Sequence, residues 1–136
     1  MKIVLDSNIF VSSFYWAGNP RKIFDRVTNG FDELYITDEI IKEIISVMSR
    51  EKFNTGIEEI NEYIKIIESY SIKMLSQKIP QNVSRDKNDD KILQCGIDGN
   101  VEFIITGDND LLVIKEYNKI KILKPGEYLK TTIEEA

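Results

Sequence analysis

The chain has 136 residues, of which 42% are hydrophobic and 30% are charged, and its formal net charge is −5. This length fits one domain with its own core, and the composition is that of an ordinary globular protein. Because the chain has no histidine, Ser-His and Cys-His nucleophilic sites and imidazole zinc sites are excluded.

The first half of the chain alternates strand and helix patterns. KIVLD at 2–6 is a short apolar run typical of a buried parallel strand, and ELYIT at 33–37 predicts a second strand. Thr37 or Asp38 is expected to cap the helix that follows the second strand. Helical periodicity and helix-end residues predict helices at 9–16, 20–28, 38–50 and 57–69.

The second half continues the alternation. We predict strands at 71–75, 101–106 and 119–123, a polar loop at 77–88 and a helix at 89–98. Residues 130–136 are expected to form a C-terminal tail beyond a core of about 2–129. Strands that alternate with helices predict one three-layer α/β/α domain over 1–136, with a mainly parallel five-stranded sheet.

Composition also bears on location and partners. Apolar runs are too short to span a bilayer, no secretory signal is visible, and the single cysteine, Cys95, fits a reducing compartment, so we expect a cytoplasmic protein without a membrane partner. The acidic balance argues against broad electrostatic binding of nucleic acid but leaves room for a local basic rim.

Carboxylates stand at positions that such a sheet would bring together. Asp6 ends the first strand and Asp108 follows the fourth, and ligands of parallel sheets bind beyond the carboxyl ends of the strands. Glu43 and Asp90 lie at the edges of the apolar stripes of their helices. A carboxylate drawn toward the interior is costly unless it is paired, and a divalent cation shared by several carboxylates would remove that cost.

Each acid also has an ordinary structural explanation. Asp6 could accept hydrogen bonds from amides of the next helix, and Asp90 could complement a helix dipole. Glu43 could be a solvated rim residue, and Asp108 with Asp110 could form a turn into a short helix. The positions alone leave both interpretations open.

Three sequence blocks bear on the choice: VLDSNIFVS, TDEIIKEIISVMSREKF and DKNDDKILQCGIDGNVEFIITGDNDLL. Together they resemble the PIN domain family, and within it the proteins described as toxins of toxin–antitoxin pairs. The resemblance runs from about Lys2 to Leu129. It implies a PIN-like fold and an endoribonuclease whose acidic cluster binds Mg²⁺ or Mn²⁺. It also implies an RNA substrate, a cognate antitoxin and a tendency to form homodimers.

The resemblance assigns roles to individual residues. The catalytic and metal-binding acids would be Asp6, Glu43, Asp90 and Asp108, and the supporting residues would be Asn8, Asp89, Thr106 and Asp110. The D-P-D-D-D form common in this subgroup reads DKNDD here, which leaves the role of Asp86 open.

Other side chains are candidates for RNA contact. The basic ones are Arg21, Lys22, Arg50, Lys52, Arg85, Lys87 and Lys91, and the aromatic ones, which could instead pack in the core or at a dimer surface, are Phe14, Tyr15 and Trp16.

Three other functions compete with a nuclease. A phospho-signalling receiver domain shares the α/β layout and a Lys-Pro after the last strand, here Lys124-Pro125, but it needs an acid pair after the first strand and an Asp at the third. A haloacid-type phosphatase needs D-x-D where this chain has Asp6 and Asn8. A PIN fold that acts only as a binding module is the remaining alternative.

Overall fold

A computed structural model describes residues 1–75 and 87–135, except for the side chains of 87–89, 134 and 135. The strands and helices that position the site follow in chain order. They are β1 (Lys2–Leu5), α1 (Ser7–Tyr15), α2 (Asn19–Thr28), β2 (Glu33–Ile36), α3 (Asp38–Met48), a 3₁₀ turn (Glu51–Phe53), α4 (Ile57–Tyr70), β3 (Ser71–Lys73), α5 (Lys87–Gly99), β4 (Phe103–Ile105), α6 (Asn109–Leu112), β5 (Glu116–Tyr117), β6 (Ile120–Leu123) and α7 (Pro125–Glu135).

The strands form one sheet in the order β3-β2-β1-β4-β6-β5. Every neighbouring pair is parallel except β5–β6. Ile3, Val4 and Leu5 of β1 are all buried, as expected for a central strand covered by helices on both faces. The predicted mainly parallel α/β sheet is therefore confirmed.

The predicted number of strands is wrong, because the described residues contain a sixth strand. β5 is only two residues long and pairs antiparallel with β6. Asn118 and Lys119 form the two-residue loop of this hairpin, and both have positive φ, 50° and 68°. Such loops match the right-handed twist of the flanking strands. A strand this short carries no periodic signal in the sequence.

Residues 130–135, where we predict a C-terminal tail, continue the helix α7. Pro125 starts this helix, where a proline costs no hydrogen bond. Tyr128 of α7 is 0% exposed and packs edge-on against Phe103 of β4, with ring centroids 5.3 Å apart. Tyr128 thus anchors the first turn of α7 to the core, while Ile133 further along the helix is 75% exposed.

Most other predicted boundaries differ by a few residues. α1 starts at Ser7 instead of residue 9, α3 ends at Met48 instead of about Arg50, and α5 starts at Lys87 inside the predicted loop. The strand predictions for 71–75 and 101–106 extend beyond β3 and β4 by two and three residues. The rest of the predicted loop, residues 77–86, lies outside the described residues.

Buried hydrogen bonds hold α1 in place behind the first strand. Tyr63 of α4 donates from Oη to the Phe10 carbonyl oxygen at 2.8 Å, and its oxygen lies 2.6 Å from Ser13 Oγ. These bonds join α4 to the middle and the C-terminal half of α1 across the core.

Among the described residues, no helix combines the length and the apolar character that crossing a bilayer requires.

Candidate active site

The carboxyl ends of β1 and β4 lie side by side at the centre of the sheet. Leu5 pairs in register with Ile105, so the next residues of the two strands, Asp6 and Thr106, are neighbours. The Asp6 amide donates to the Ile105 carbonyl oxygen at 3.0 Å. The chain first builds outward from β1 through β2 to β3 and then returns to the other side of β1 with β4. Strand order therefore reverses here, which is where α/β sheets bind ligands.

The Asp6 carboxylate is held in one orientation by the strand beside it. Asp6 is 4% exposed, and its Oδ2 accepts a hydrogen bond from Thr106 Oγ1 at 2.7 Å. Thr106 Oγ1 itself accepts from the Asp108 amide at 2.9 Å, so its single proton is directed at Asp6. The Asp6 side chain does not cap α1, but a hydrogen bond with the backbone of Ser7, the first residue of α1, lowers the pKa of the Asp6 carboxyl.

The environment of Asp6 disfavours its charge. Burial raises the pKa of the Asp6 carboxyl above its ordinary value, the hydrogen bond from Thr106 lowers it in part, and the negative charges of Glu43 and Asp108 raise it again. A buried carboxylate that faces two others is the arrangement that a cation would relieve.

Asp108 has a structural role in addition to its place beside Asp6. It is the N-cap of α6, and its Oδ1 accepts from the Asp110 amide at 2.9 Å. The prediction of a turn into a short helix is thus confirmed. Asp108 and Asp110 are both partly buried at the rim of the site.

Glu43 and Asp90 come from two helices. Thr37 caps α3 by accepting from the Ile40 amide, and this fixes the start of the helix that carries Glu43. Asp90 lies in the first turn of α5 and is 2% exposed. The next residue, Lys91, forms an ion pair with Glu43 through its Nζ and the Glu43 Oε2.

The remaining predicted residues lie at the edge of this group or outside it. Asn8 is exposed in the first turn of α1, and Asp89 belongs to α5 with its side chain outside the described atoms. Asp86 and Arg85 lie outside the described residues. Sequence reasoning did not predict the contact between Lys91 and Glu43, because no local pattern reports which helices pack together.

Several candidate RNA contacts have other roles in the fold. Arg21 donates to the carbonyl oxygens of Ser13 and Phe14 at 2.9 and 3.0 Å, so it closes the end of α1. Tyr15 stacks on Phe53 with centroids 4.4 Å apart. Trp16, by contrast, is 58% exposed.

The donor atoms at this edge fit a hard divalent cation. Within residues 1–75 and 87–135, no group of three or more acidic or cysteine side chains is arranged so that it could hold a metal directly. The acids at this edge offer only oxygen donors, the atoms that hard divalent cations prefer, and the pKa of the buried Asp6 carboxyl is raised in part by two further negative charges.

Together these features define a class of protein: a parallel α/β domain with an acidic site where its strand order reverses. A family model of the PIN domain matches residues 2–110. The chain therefore belongs to the PIN domain family, whose members are generally nucleases.

Comparison with solved structures agrees with this fold. The chain is similar to a chain in the crystal structure of VapBC2 from Rickettsia felis bound to a DNA fragment from their promoter, with a TM-score of 0.60 and 14% identity over 90% of this chain and 97% of that chain. No curated protein matches the sequence.

The sheet topology also weighs against a receiver domain. Receivers use the strand order 2-1-3-4-5, which places the third strand beside the first. Here β3 pairs with β2, away from β1, and β4 lies next to β1. An acid on β3 would therefore not lie beside Asp6.

Proposed function

We propose that this protein is a metal-dependent endoribonuclease that hydrolyses RNA phosphodiester bonds. One observation carries the proposal: Asp6 is buried where the strand order reverses. Its carboxylate is oriented by Thr106, and the negative charges of Glu43 and Asp108 raise its pKa. Burying a carboxylate beside two others costs folding free energy, so a functional reason for keeping it is expected. Membership of a family of nucleases supports hydrolysis as that reason.

Four acids would hold the metal: Asp6, Glu43, Asp90 and Asp108. All provide oxygen ligands, which suits Mg²⁺ or Mn²⁺. Such an ion, when bound, polarises a phosphate oxygen and lowers the pKa of a water molecule.

The protein's own residues would orient the reactants. Thr106 keeps one Asp6 oxygen engaged, so the other oxygen has a defined direction. Asn8, exposed at the start of α1, would donate to a phosphate, while Asp89 and Asp110 would support the neighbouring acids. Because the chain has no histidine, a carboxylate is the side chain available as general base.

We further propose that the protein is the toxin of a toxin–antitoxin pair and acts in the cytoplasm. The resemblance to PIN proteins of that kind supports an antitoxin partner, which would place a cation in the acidic site. Trp16, exposed beside Tyr15 and Phe53, offers an aromatic surface for RNA stacking or for a second copy of the chain. An adjacent reading frame for a small partner would support the pairing.

The nuclease proposal is tested by incubating the purified protein with a mixed RNA pool, with and without Mn²⁺. We expect cleavage only with the metal, and we expect Asp90→Asn to abolish it. Asp25→Asn is the matched control, because Asp25 is an exposed acid on α2 and the substitution is the same.

The same assay separates the nuclease from a binding module. If the parent protein and Asp90→Asn cleave equally, the residue assignment is wrong. If the parent retains RNA on a filter without cutting it under any metal condition, the protein is a PIN-fold binding module.

A further inference from the structure

The acidic site of this protein already contains a cation of its own. Lys91 follows the buried Asp90 on α5, and its ammonium group pairs with the Glu43 carboxylate of α3. The Lys91 and Glu43 side chains are 18% and 29% exposed, so the pair is largely shielded from water. Glu43 also raises the pKa of Asp6 by its charge, which places it in the electrostatic neighbourhood of the site.

The pair puts Lys91 in competition with a metal ion. The Glu43 Oε2 atom that pairs with the Lys91 ammonium would also be a metal ligand if Glu43 bound a cation, so the ion pair weakens Glu43 as a ligand. An ammonium carries one charge and neutralises one carboxylate, whereas a divalent ion neutralises two. A metal that also gains Asp6 and Asp90 can therefore outcompete the lysine.

We propose that Lys91 is a positioning residue that holds Glu43 when divalent metal is absent and releases it when the metal binds. This inference rests on the proposed metal site. The lysine keeps α3 and α5 together and lowers the repulsion around Asp6, at the expense of metal affinity. On release, its ammonium stays at the rim of the site, where an anionic substrate would arrive.

The first test measures Mn²⁺ binding by titration calorimetry, without RNA. Lys91→Gln frees Glu43, so we expect Mn²⁺ to bind about fivefold more tightly, the effect of losing one partly buried ion pair. Lys91→Arg keeps the pair and should stay within about twofold of the parent. Lys42→Gln is the control for simple loss of positive charge, because Lys42 neighbours Glu43 in sequence but is exposed, and it should also stay within about twofold.

The second test uses the parent protein, so it does not depend on a variant that folds. A small amine-acylating reagent is added with and without Mn²⁺, and labelling of each lysine is measured by peptide mass spectrometry. Labelling of Lys91 should increase severalfold with Mn²⁺, while that of Lys42 stays constant. The Asp6→Asn protein should show no such increase.

The outcomes separate the two proposals. If the parent binds Mn²⁺ but Lys91→Gln binds no more tightly than Lys42→Gln, or if Mn²⁺ leaves Lys91 labelling unchanged, the lysine exchange is refuted and the nuclease proposal stands. If the parent binds no Mn²⁺ at all, the metal site itself is refuted.

Discussion

Replacing Asp6 with asparagine should stabilise the metal-free protein while it abolishes the proposed activity. The amide has nearly the same shape, and its Oδ1 can accept the same hydrogen bond from Thr106 Oγ1, which is 2.7 Å from Asp6 Oδ2 in the parent. What the substitution removes is a charge that is 4% exposed and repelled by Glu43 and Asp108.

The expected gain is modest. The repulsion and desolvation that the amide avoids correspond to about 1–2 kcal/mol, the usual scale for one buried polar group whose charge is only partly compensated. For a domain of this size, such a gain raises the midpoint of thermal unfolding by about 3–6 °C. The measurement is thermal unfolding followed by circular dichroism in excess EDTA at pH 7.

The pH dependence tests the physical reason. Because the pKa of the Asp6 carboxyl is raised in the folded state, the folded chain binds this proton more tightly than the unfolded chain. Ionised Asp6 therefore lowers the free energy of unfolding at pH values above the pKa of Asp6 in the folded state. This penalty disappears as the pH falls below the pKa of Asp6 in the unfolded chain. The advantage of Asp6→Asn should shrink from pH 7 toward about pH 4. An Asp6→Asn protein that melts below the parent in EDTA, or whose difference does not change with pH, would refute the reasoning.

Three further predictions concern the packing around the site. Gly99→Ala should lower the free energy of unfolding in urea by about 1–3 kcal/mol, because a Cβ there would lie 2.9 Å from Cγ of the buried Tyr35. Gly107→Ala is the control and should be close to neutral, because its Cβ would meet nothing within 4 Å. Tyr63→Phe should cost about 1 kcal/mol in the same assay, since it removes the hydroxyl that joins α4 to α1; an unchanged midpoint would contradict that role. Burial raises the pKa of Cys95 to about 12, so its thiol should react with a disulfide reagent at pH 8 only as fast as the chain unfolds; rapid stoichiometric labelling of the native protein would show that the thiol is accessible.

The strand half of the site could be predicted from the sequence. An apolar run that stops at Asp6 and another that stops at Thr106 are strong local signals, and the rules for parallel sheets place both ends at one edge. The hydrogen bond between these residues then follows from their register. β5 and the core position of α7 could not be predicted in this way, because a two-residue strand has no period and the burial of Tyr128 depends on Phe103, a residue distant in sequence.

The part of the site on α3 and α5 could be predicted less well from the sequence, because it too depends on contacts between residues distant in sequence. Periodicity places Glu43 and Asp90 at the edges of apolar stripes, but it does not report how α3 and α5 are oriented relative to each other. The sequence marks Lys91 only as one of several basic residues that could border the site, because its contact with Glu43 depends on how α3 and α5 pack.

The two halves of the site are therefore held by different kinds of interaction. Asp6 is oriented by a relay of hydrogen bonds that begins at the Asp108 backbone amide and passes through Thr106, and this relay needs no cation. Glu43 is held by an ion pair with a flexible lysine, which a more highly charged ion can replace. The strand edge keeps the costly buried Asp6 carboxylate in position, while the proposed exchange at Lys91 would free Glu43 when a cation binds. It follows that substitutions at Thr106 should change the orientation of the Asp6 carboxylate. Substitutions at Lys91 should change chiefly the affinity of the site for a divalent cation.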